Sequence, residues 1–445
     1  MTNSLTGQFR FGYDALSRRT QLTRPNGVNT NYNYDSVSHL LSVLHQAGST
    51  TLDRASYGYD FAGNRTSKTN YLNGITSNYG YDAIYELLQV TQGGSTTESY
   101  SYDAVGNRLS STGVPTYSYN SSNELTSNSS GSYTYDNNGN TLTDASSKSY
   151  TWDFENRMVL AVVPGTGTVS FKYDPFGRRI QKSSPLGTTN YLYDGVNVVE
   201  ESDSSGNVTA RYTQTAMTDQ PLSELRSGTT SYYEADGLTS ITSLSSSTGT
   251  LANTYTYDSS GKLTSSSGTL TNPFRYTGRE FDPETGIYEY RARYYDQSVG
   301  RFLSEDPRQF AVGLNFYDYV RNNPANFKDP LGAFPVWGWW CGPNWTGGRF
   351  EPYDPTHSYH APWGPTDTAC MHHDICYYEC RRDHPCSKSD RAKCMRQCDD
   401  VLLTEAPYSP IGNTVSTVVW DYNKHPDTGG NAKNCSCGSN SPPNH

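Results

Sequence analysis

Tyr100-Ser101-Tyr102-Asp103-Ala104-Val105-Gly106-Asn107-Arg108-Leu109-Ser110-Ser111-Thr112 is the stretch that decides the fold. Alternation up to Tyr102 predicts a strand, Gly106-Asn107 a tight turn, and the alternation after it a return strand. The same order recurs in FKYDPFGRRIQKS, from Phe171 to Ser183: aromatic-x-Tyr-Asp, a Gly or Asn turn, then Arg-x-(Leu/Thr/Ile). Tyr-Asp pairs stand at Tyr13-Asp14, Tyr34-Asp35, Tyr59-Asp60, Tyr81-Asp82, Tyr102-Asp103, Tyr135-Asp136, Tyr173-Asp174, Tyr193-Asp194 and Tyr257-Asp258, mostly about 20 to 25 residues apart. Tyr119-Asn120 and Trp152-Asp153 are degenerate copies in two larger gaps. One hairpin cannot bury its own face, so the units are expected to stack edge to edge into a continuous antiparallel sheet. The tyrosines are read as structural and not catalytic.

Composition agrees with a β-shell. Of 445 residues only 34% are hydrophobic, but 37 are tyrosines, so aromatic rings supply the apolar area that aliphatic side chains do not. That richness in aromatics argues against disorder. A net charge of −10 argues against a general affinity for nucleic acid. No apolar leader follows Met1, and no run of 18 apolar residues occurs. The start, MTNSLTGQFRFGYD, enters a repeat at once, as the C-terminal piece of a longer polypeptide would.

These units resemble the YD repeats of the Rhs and insecticidal-toxin-complex family. Residues 275 to 332 resemble its core module, in RYTGREFDPETGIYEYRARYYDQSVGRFLSEDP and then NNPANFKDPLG. The resemblance implies a β-strip wound into a hollow cocoon over residues 1–270, a core module over 271–333 that plugs one end, and a variable cargo over 334–445. It also implies self-cleavage just after the second DPxG motif by two aspartates, here Asp306 and Asp329. Paired carboxylates sharing a proton can act as acid and base in peptide hydrolysis. The first motif reads Asp306-Pro307-Arg308-Gln309 and lacks its glycine, while Ala333 follows Gly332 where the family has leucine. A second reading of the aspartates is that each merely caps a turn before a proline.

All nine cysteines lie between Cys341 and Cys437. Such a density is typical of small domains in oxidising compartments. Cys370, His373, Asp374 and Tyr377 are spaced to share one helical face. Cys376 and Cys380 form an i, i+4 pair, as do Cys394 and Cys398 on a second helix that Ser387 to Asp390 would cap. Were the two helices antiparallel, Cys376 could meet Cys398 and Cys380 meet Cys394. Asp399 would then be brought towards His373, as a water-activating dyad requires.

The same residues resemble the secreted phospholipase A2 superfamily. Its DxxCxxHDxCY signature appears from Asp367 to Tyr377, its Cys-Gly loop as Trp340-Cys341-Gly342, and its later Cys-Asp as Cys398-Asp399. The resemblance implies a small disulfide-rich α-helical domain in which His373 is the general base, Asp399 orients it, and Tyr377 bonds that aspartate. It implies Ca²⁺ held by Asp374 and the backbone carbonyls of Trp340, Gly342 and Asn344, stabilising the oxyanion of the attacked ester. It also implies a Cys341–Cys370 bridge. Ala369 stands where the superfamily carries a further cysteine, and Cys386, Cys435 and Cys437 remain unassigned.

The leading expectation is a toxin whose cargo hydrolyses the sn-2 ester of membrane phospholipids, with a secretion system and a cognate immunity protein as partners and no nucleic acid. Export would place it outside the cell without a signal peptide on this chain. The alternatives are a YD-repeat cell-surface adhesion protein with a non-catalytic tail, and a zinc knot on Cys376, Cys380, Cys394 and Cys398.

Overall fold

The repeat closes on itself through its aspartate. In the quoted unit the Asp103 amide donates to the Asn107 carbonyl at 2.9 Å. Its Oδ1 accepts the amides of Val105 and Asn107 at 3.0 and 2.9 Å, and its Oδ2 accepts the Asn107 side chain at 3.0 Å. Gly106 takes φ +80° in this turn, a value that glycine adopts without strain. Where arginine stands four residues after the aspartate, its guanidinium takes Oδ2 instead, at 2.7 Å in both Arg18–Asp14 and Arg178–Asp174. Those arginines then cover the tyrosine of the next unit, Arg18 lying 4.8 Å from Tyr34 and Arg178 5.3 Å from Tyr193.

The tyrosine ties each unit to the one before it. Tyr34 donates its hydroxyl to Arg19 O, Tyr59 to Leu40 O, Tyr81 to Arg65 O, Tyr102 to Leu87 O and Tyr173 to Met158 O, at 2.7–3.0 Å. Every acceptor is the first residue of the preceding unit's return strand. The register slips by one residue at the tyrosine, as between Ser101 and Tyr102, a bulge that re-aims the ring towards that carbonyl. The degenerate copies keep the chemistry: Tyr119 reaches Arg108 O at 2.8 Å, and Trp152 Nε1 reaches Thr141 O at 2.7 Å.

The computed structural model describes residues 7–309 and 313–333, together with the backbone of the short strands Thr2–Asn3, Trp345–Thr346 and Arg349–Phe350. The chain divides into two compact units, Met1–Trp337 and Gly338–His445. In the first unit the hairpins form sequential antiparallel sheets, one of ten strands from Arg10–Tyr13 to Arg108–Ser111 and one of fourteen from Thr134–Tyr135 to Leu263–Ser267. Among the described residues there is no α-helix, and the helical turns include the 3₁₀ turns Tyr276–Gly278 and Val320–Asn322. The expected single continuous sheet is instead interrupted by a three-stranded one, Tyr117–Tyr119, Leu125–Asn128 and Gly131–Ser132. Pro115 lies at the first break, where a residue without an amide hydrogen cannot extend the ladder.

The two large sheets meet through apolar and polar contacts. Phe9 and Leu22 pack with Leu222 and Tyr232, while Lys68 pairs with Asp236 at 2.6 Å. A cavity of about 810 Å³ lies between them, lined among others by Arg65, Lys68, Glu98, Tyr100, Asp258 and Tyr276.

Residues 280–302 form a separate four-stranded sheet, Glu280–Asp282, Ile287–Tyr290, Arg293–Asp296 and Arg301–Phe302. Its rings condense with those of the following segment: Tyr290, Tyr295, Phe302 and Tyr319 lie within 4.3–5.9 Å of one another. This module is seated on the repeat turns. Tyr288 and Tyr295 donate to the carbonyls of Gly261 and Ser260, Tyr317 to Gly139 O, and Asn322 to Gly106 O, at 2.8–3.0 Å. Arg179, fully buried at the start of its return strand, is neutralised by Asp282 and by Glu280 at 3.0 Å.

Candidate self-cleavage centre

The two aspartates singled out in the sequence come together on one guanidinium. Arg293 opens the third strand of the module, Asp306 follows its fourth, and Asp329 precedes the Pro330-Leu331-Gly332 turn. Nη2 of Arg293 lies 2.7 Å from Oδ2 of Asp306 and 3.2 Å from Oδ2 of Asp329. Each aspartate caps its own turn as well, on its other oxygen. Asp306 Oδ1 accepts the Arg308 amide at 2.8 Å, and Asp329 Oδ1 accepts the amides of Leu331 and Ala333 at 3.3 and 3.1 Å. One oxygen of each carboxylate therefore shapes its own turn and the other faces the shared cation.

Arg293 itself is held rigidly. Nη1 donates to Phe316 O at 3.0 Å, Nε donates to Gly332 O, and the guanidinium lies 3.6 Å from the Phe302 ring centre. The Gly332 carbonyl it holds is one residue before Ala333, after which the family resemblance puts the cut. Gly332 has φ +65°, and a Cβ there would collide with the Tyr290 carbonyl oxygen, so glycine is required. Further contacts pin the segment: the Ala292 amide donates to Leu331 O at 3.1 Å, and Arg291 donates to Pro330 O.

Burial sets the protonation of this centre. It pushes Asp306 up to about 7; Arg293 opposes the rise, and Asp329 and Asp318 add to it. Asp318, partly buried nearby, is pushed up to about 6 by its loss of solvent against the pull of Arg321, Arg293 and Arg301. Near neutrality Asp306 can thus carry a proton to donate while a second carboxylate stands across the same guanidinium. Two buried carboxyl groups with a fixed cation between them can perform acid–base hydrolysis on a backbone bond delivered to them.

The sequence reading named Asp306 and Asp329 but not Arg293 or Asp318. Arg293 lies in YRARYYD, among three arginines within residues 291–301, and nothing in its spacing sets it apart from Arg291. His373, Asp399, Tyr377, Trp340, Gly342, Asn344, Asp374 and the cysteines Cys341, Cys370, Cys376, Cys380, Cys394 and Cys398 lie outside the described residues, as do the Ca²⁺ site and disulfides expected there. Among the described residues no group of three or more His, Cys, Asp or Glu side chains could hold a metal ion.

Known proteins match this architecture. The Teneurin YD-shell family model matches residues 6–325. The tRNA3(Ser)-specific nuclease WapA of Bacillus spizizenii is 33% identical over 313 residues, covering 68% of this chain and 12% of that protein. Toxin subunit YenC2 of Yersinia entomophaga is 50% identical over 62 residues, 14% of this chain and 6% of the subunit. In a crystal structure of TcdB2-TccC3-Cdc42, a chain superposes with a TM-score of 0.63 at 20% identity, over 74% of this chain and 19% of that one, which shows a common fold. The chain thus spans only a small part of the length of these relatives. With the tyrosine tethers, the aspartate turns and a family match over residues 6–325, the chain belongs to the YD-shell family of repeat proteins.

Proposed function

We propose that this protein is a toxin-type effector whose YD-shell carries an enzymatic cargo in residues 334–445 and frees it by cutting its own chain after Ala333. The convergence of Asp306 and Asp329 on Arg293 carries the cleavage reading. In the reaction, Asp329 takes a proton from water and the hydroxide attacks the Ala333 carbonyl carbon. Asp306 gives its proton to the departing amide nitrogen of Phe334 as the C–N bond breaks. Arg293 positions both carboxylates and the Gly332 carbonyl. Mass spectrometry of purified full-length chain tests this. Two fragments joined at Ala333/Phe334 are expected, and Asp306→Asn should leave the chain whole; an intact wild-type chain would refute it.

The cargo is read as a Ca²⁺-dependent phospholipase A2 with His373 as base, Asp399 as its orienting partner, Tyr377 on that aspartate, and Asp374 as the carboxylate ligand of Ca²⁺. The complete Asp367-x-x-Cys370-x-x-His373-Asp374-x-Cys376-Tyr377 signature supports this. Its substrate is the phospholipid bilayer, and secretion machinery and an immunity protein are its partners. A second reading, a cargo acting on nucleic acid, is favoured by the nuclease named among the relatives. The family match stops at residue 325, however, so the relative's activity is a weaker guide to the cargo than the cargo's own residues. Fatty-acid release from phosphatidylglycerol vesicles with Ca²⁺, set beside cleavage of tRNA by the same preparation, separates the two. TRNA cleavage without fatty-acid release would replace the lipase reading.

A further inference from the structure

The seam between the two large sheets is built around a buried histidine. His45, 2% exposed, lies on the strand Leu40–Ala47 and accepts at Nδ1 from the Thr30 hydroxyl, 2.8 Å away. Arg24 Nη1 donates into the same Thr30 oxygen at 2.6 Å, so a guanidinium charge stands one hydroxyl away from the imidazole. A carbonyl can only accept, so Nε2 carries a proton and donates across the seam to Ala235 O at 3.2 Å, and in the neutral ring that burial favours Nδ1 is left to accept from Thr30. Arg24 crosses beside it, with Nε and Nη2 on Tyr233 O at 3.1 and 2.6 Å. The seam is thus a chain from arginine through hydroxyl to imidazole to carbonyl, and it favours the neutral ring because an imidazolium would be a second buried positive charge beside Arg24.

We propose that His45 is an acid-sensitive latch between the ten-stranded and fourteen-stranded sheets: a proton on Nδ1 ends the donation from the Thr30 hydroxyl and buries a second positive charge beside Arg24, releasing the segment Tyr233–Gly237. The surrounding charges define the response. Glu234 lies 3.7 Å from Arg24 and accepts from Ser245 at 2.7 Å. Asp53, directly opposite His45 on the adjacent strand, accepts from Thr242 and Ser243. Asp236 is paired with Lys68, and Arg65 reaches Gly237 O at 3.4 Å. Burial, helped by Arg24, holds His45 well below its ordinary 6.5. Burial pushes Glu234 up to about 7 against Arg24, and it also raises Asp53.

The signs oppose. The contribution of His45 to closure is complete above 6.5 and is lost as the pH falls below it. That of Glu234 is complete below 4.5 and is lost as the pH rises through about 7, and Asp53 acts with Glu234. In the wild-type chain the acid response is therefore masked until the carboxylates are protonated in the open seam as well. Removing Glu234 leaves only Asp53 opposing the histidine, and comparing that variant with and without His45 isolates the histidine's limb.

Hydrogen–deuterium exchange over residues 233–237 of the full chain tests this, with rates corrected for the intrinsic pH dependence of exchange. In Glu234→Gln the opening constant should rise by up to about tenfold per pH unit below 6.5, and in the double variant Glu234→Gln/His45→Gln that limb should vanish. Identical pH profiles for the two variants would overturn the proposal. Should either variant fail to fold, the His45 ring of the wild-type chain, followed by NMR after isotope labelling of histidine, decides. A neutral Nε2–H ring persisting well below pH 6.5 supports the latch, and an ordinary midpoint near 6.5 overturns it.

Discussion

Substituting Asp103→Ala and, separately, Asp203→Ala compares one hydrogen-bonding motif in two surroundings. Each aspartate takes the same three bonds. Asp103 binds the Val105 and Asn107 amides and the Asn107 side chain, and Asp203 binds the Ser205 and Asn207 amides and the Asn207 side chain at 2.8, 2.9 and 3.0 Å. What differs is the lid. Asn107 is 3% exposed, because the module seats Asn315 on its side-chain oxygen at 3.1 Å and Asn322 on the neighbouring Gly106 carbonyl. The Asn207 turn faces water. With Asp103 removed, the Asn107 amide loses its acceptor where water cannot replace it, at a cost of about 2 kcal/mol. By the 1.36 kcal/mol that corresponds to a factor of ten, that is about a 30-fold rise in local opening of residues 103–107. Deuterium exchange resolved to that turn reads it directly. At Asp203 water takes over the vacated donors and exchange should change little. Equal changes at the two sites would show that the motif's worth is intrinsic to the turn and that the module's cover contributes nothing.

Arg179→Met should cost about 3–5 kcal/mol by leaving Glu280 buried without its cation and Asp282 with Lys182 alone; loss of the module's protection from protease relative to wild type measures it. Because Asp306 is raised to about 7, its contribution to stability is complete below the ordinary carboxylate range and is lost as pH rises through 7. Thermal midpoints of the wild-type chain should therefore fall from pH 6 to pH 8 more than those of Asp306→Asn, and self-cleavage should slow over the same interval. His373→Gln should abolish fatty-acid release while leaving Ala333/Phe334 cleavage intact, and chelator should do the same until Ca²⁺, not Mg²⁺, is restored. Unchanged lipid turnover in chelator would dismiss the Ca²⁺ mechanism.

The hairpin was readable because all its determinants sit within a dozen residues: alternation, an aspartate that caps the turn, and a glycine or asparagine at the bend. The tyrosine's purpose was not, since its acceptor is a backbone carbonyl about 15 residues earlier, and a carbonyl leaves no mark in a sequence. The break in the sheet was overlooked for a related reason. Pro115 is one residue among many in a region that otherwise keeps the period. In the candidate site, Asp306 and Asp329 were reached through the family resemblance, by their places in its two DPxG-like motifs. Arg293 was not, because its role depends on three segments meeting, which no local spacing encodes. His45 gave no signal at all: a lone histidine in a polar strand acquires its meaning only from Thr30, Arg24 and the Ala235 carbonyl across the seam.

The tyrosine tether has a consequence for how such chains can vary. Because the phenol addresses a main-chain oxygen, the tethered position accepts any side chain; arginine, leucine and methionine all occupy it here, at Arg19, Leu40 and Met158. A unit can therefore be duplicated or deleted by recombination without a compensating change in its neighbour, since every hairpin offers the next one the same docking point. Lineages can then lengthen or shorten the wall by whole units without redesigning the contact that joins one unit to the next.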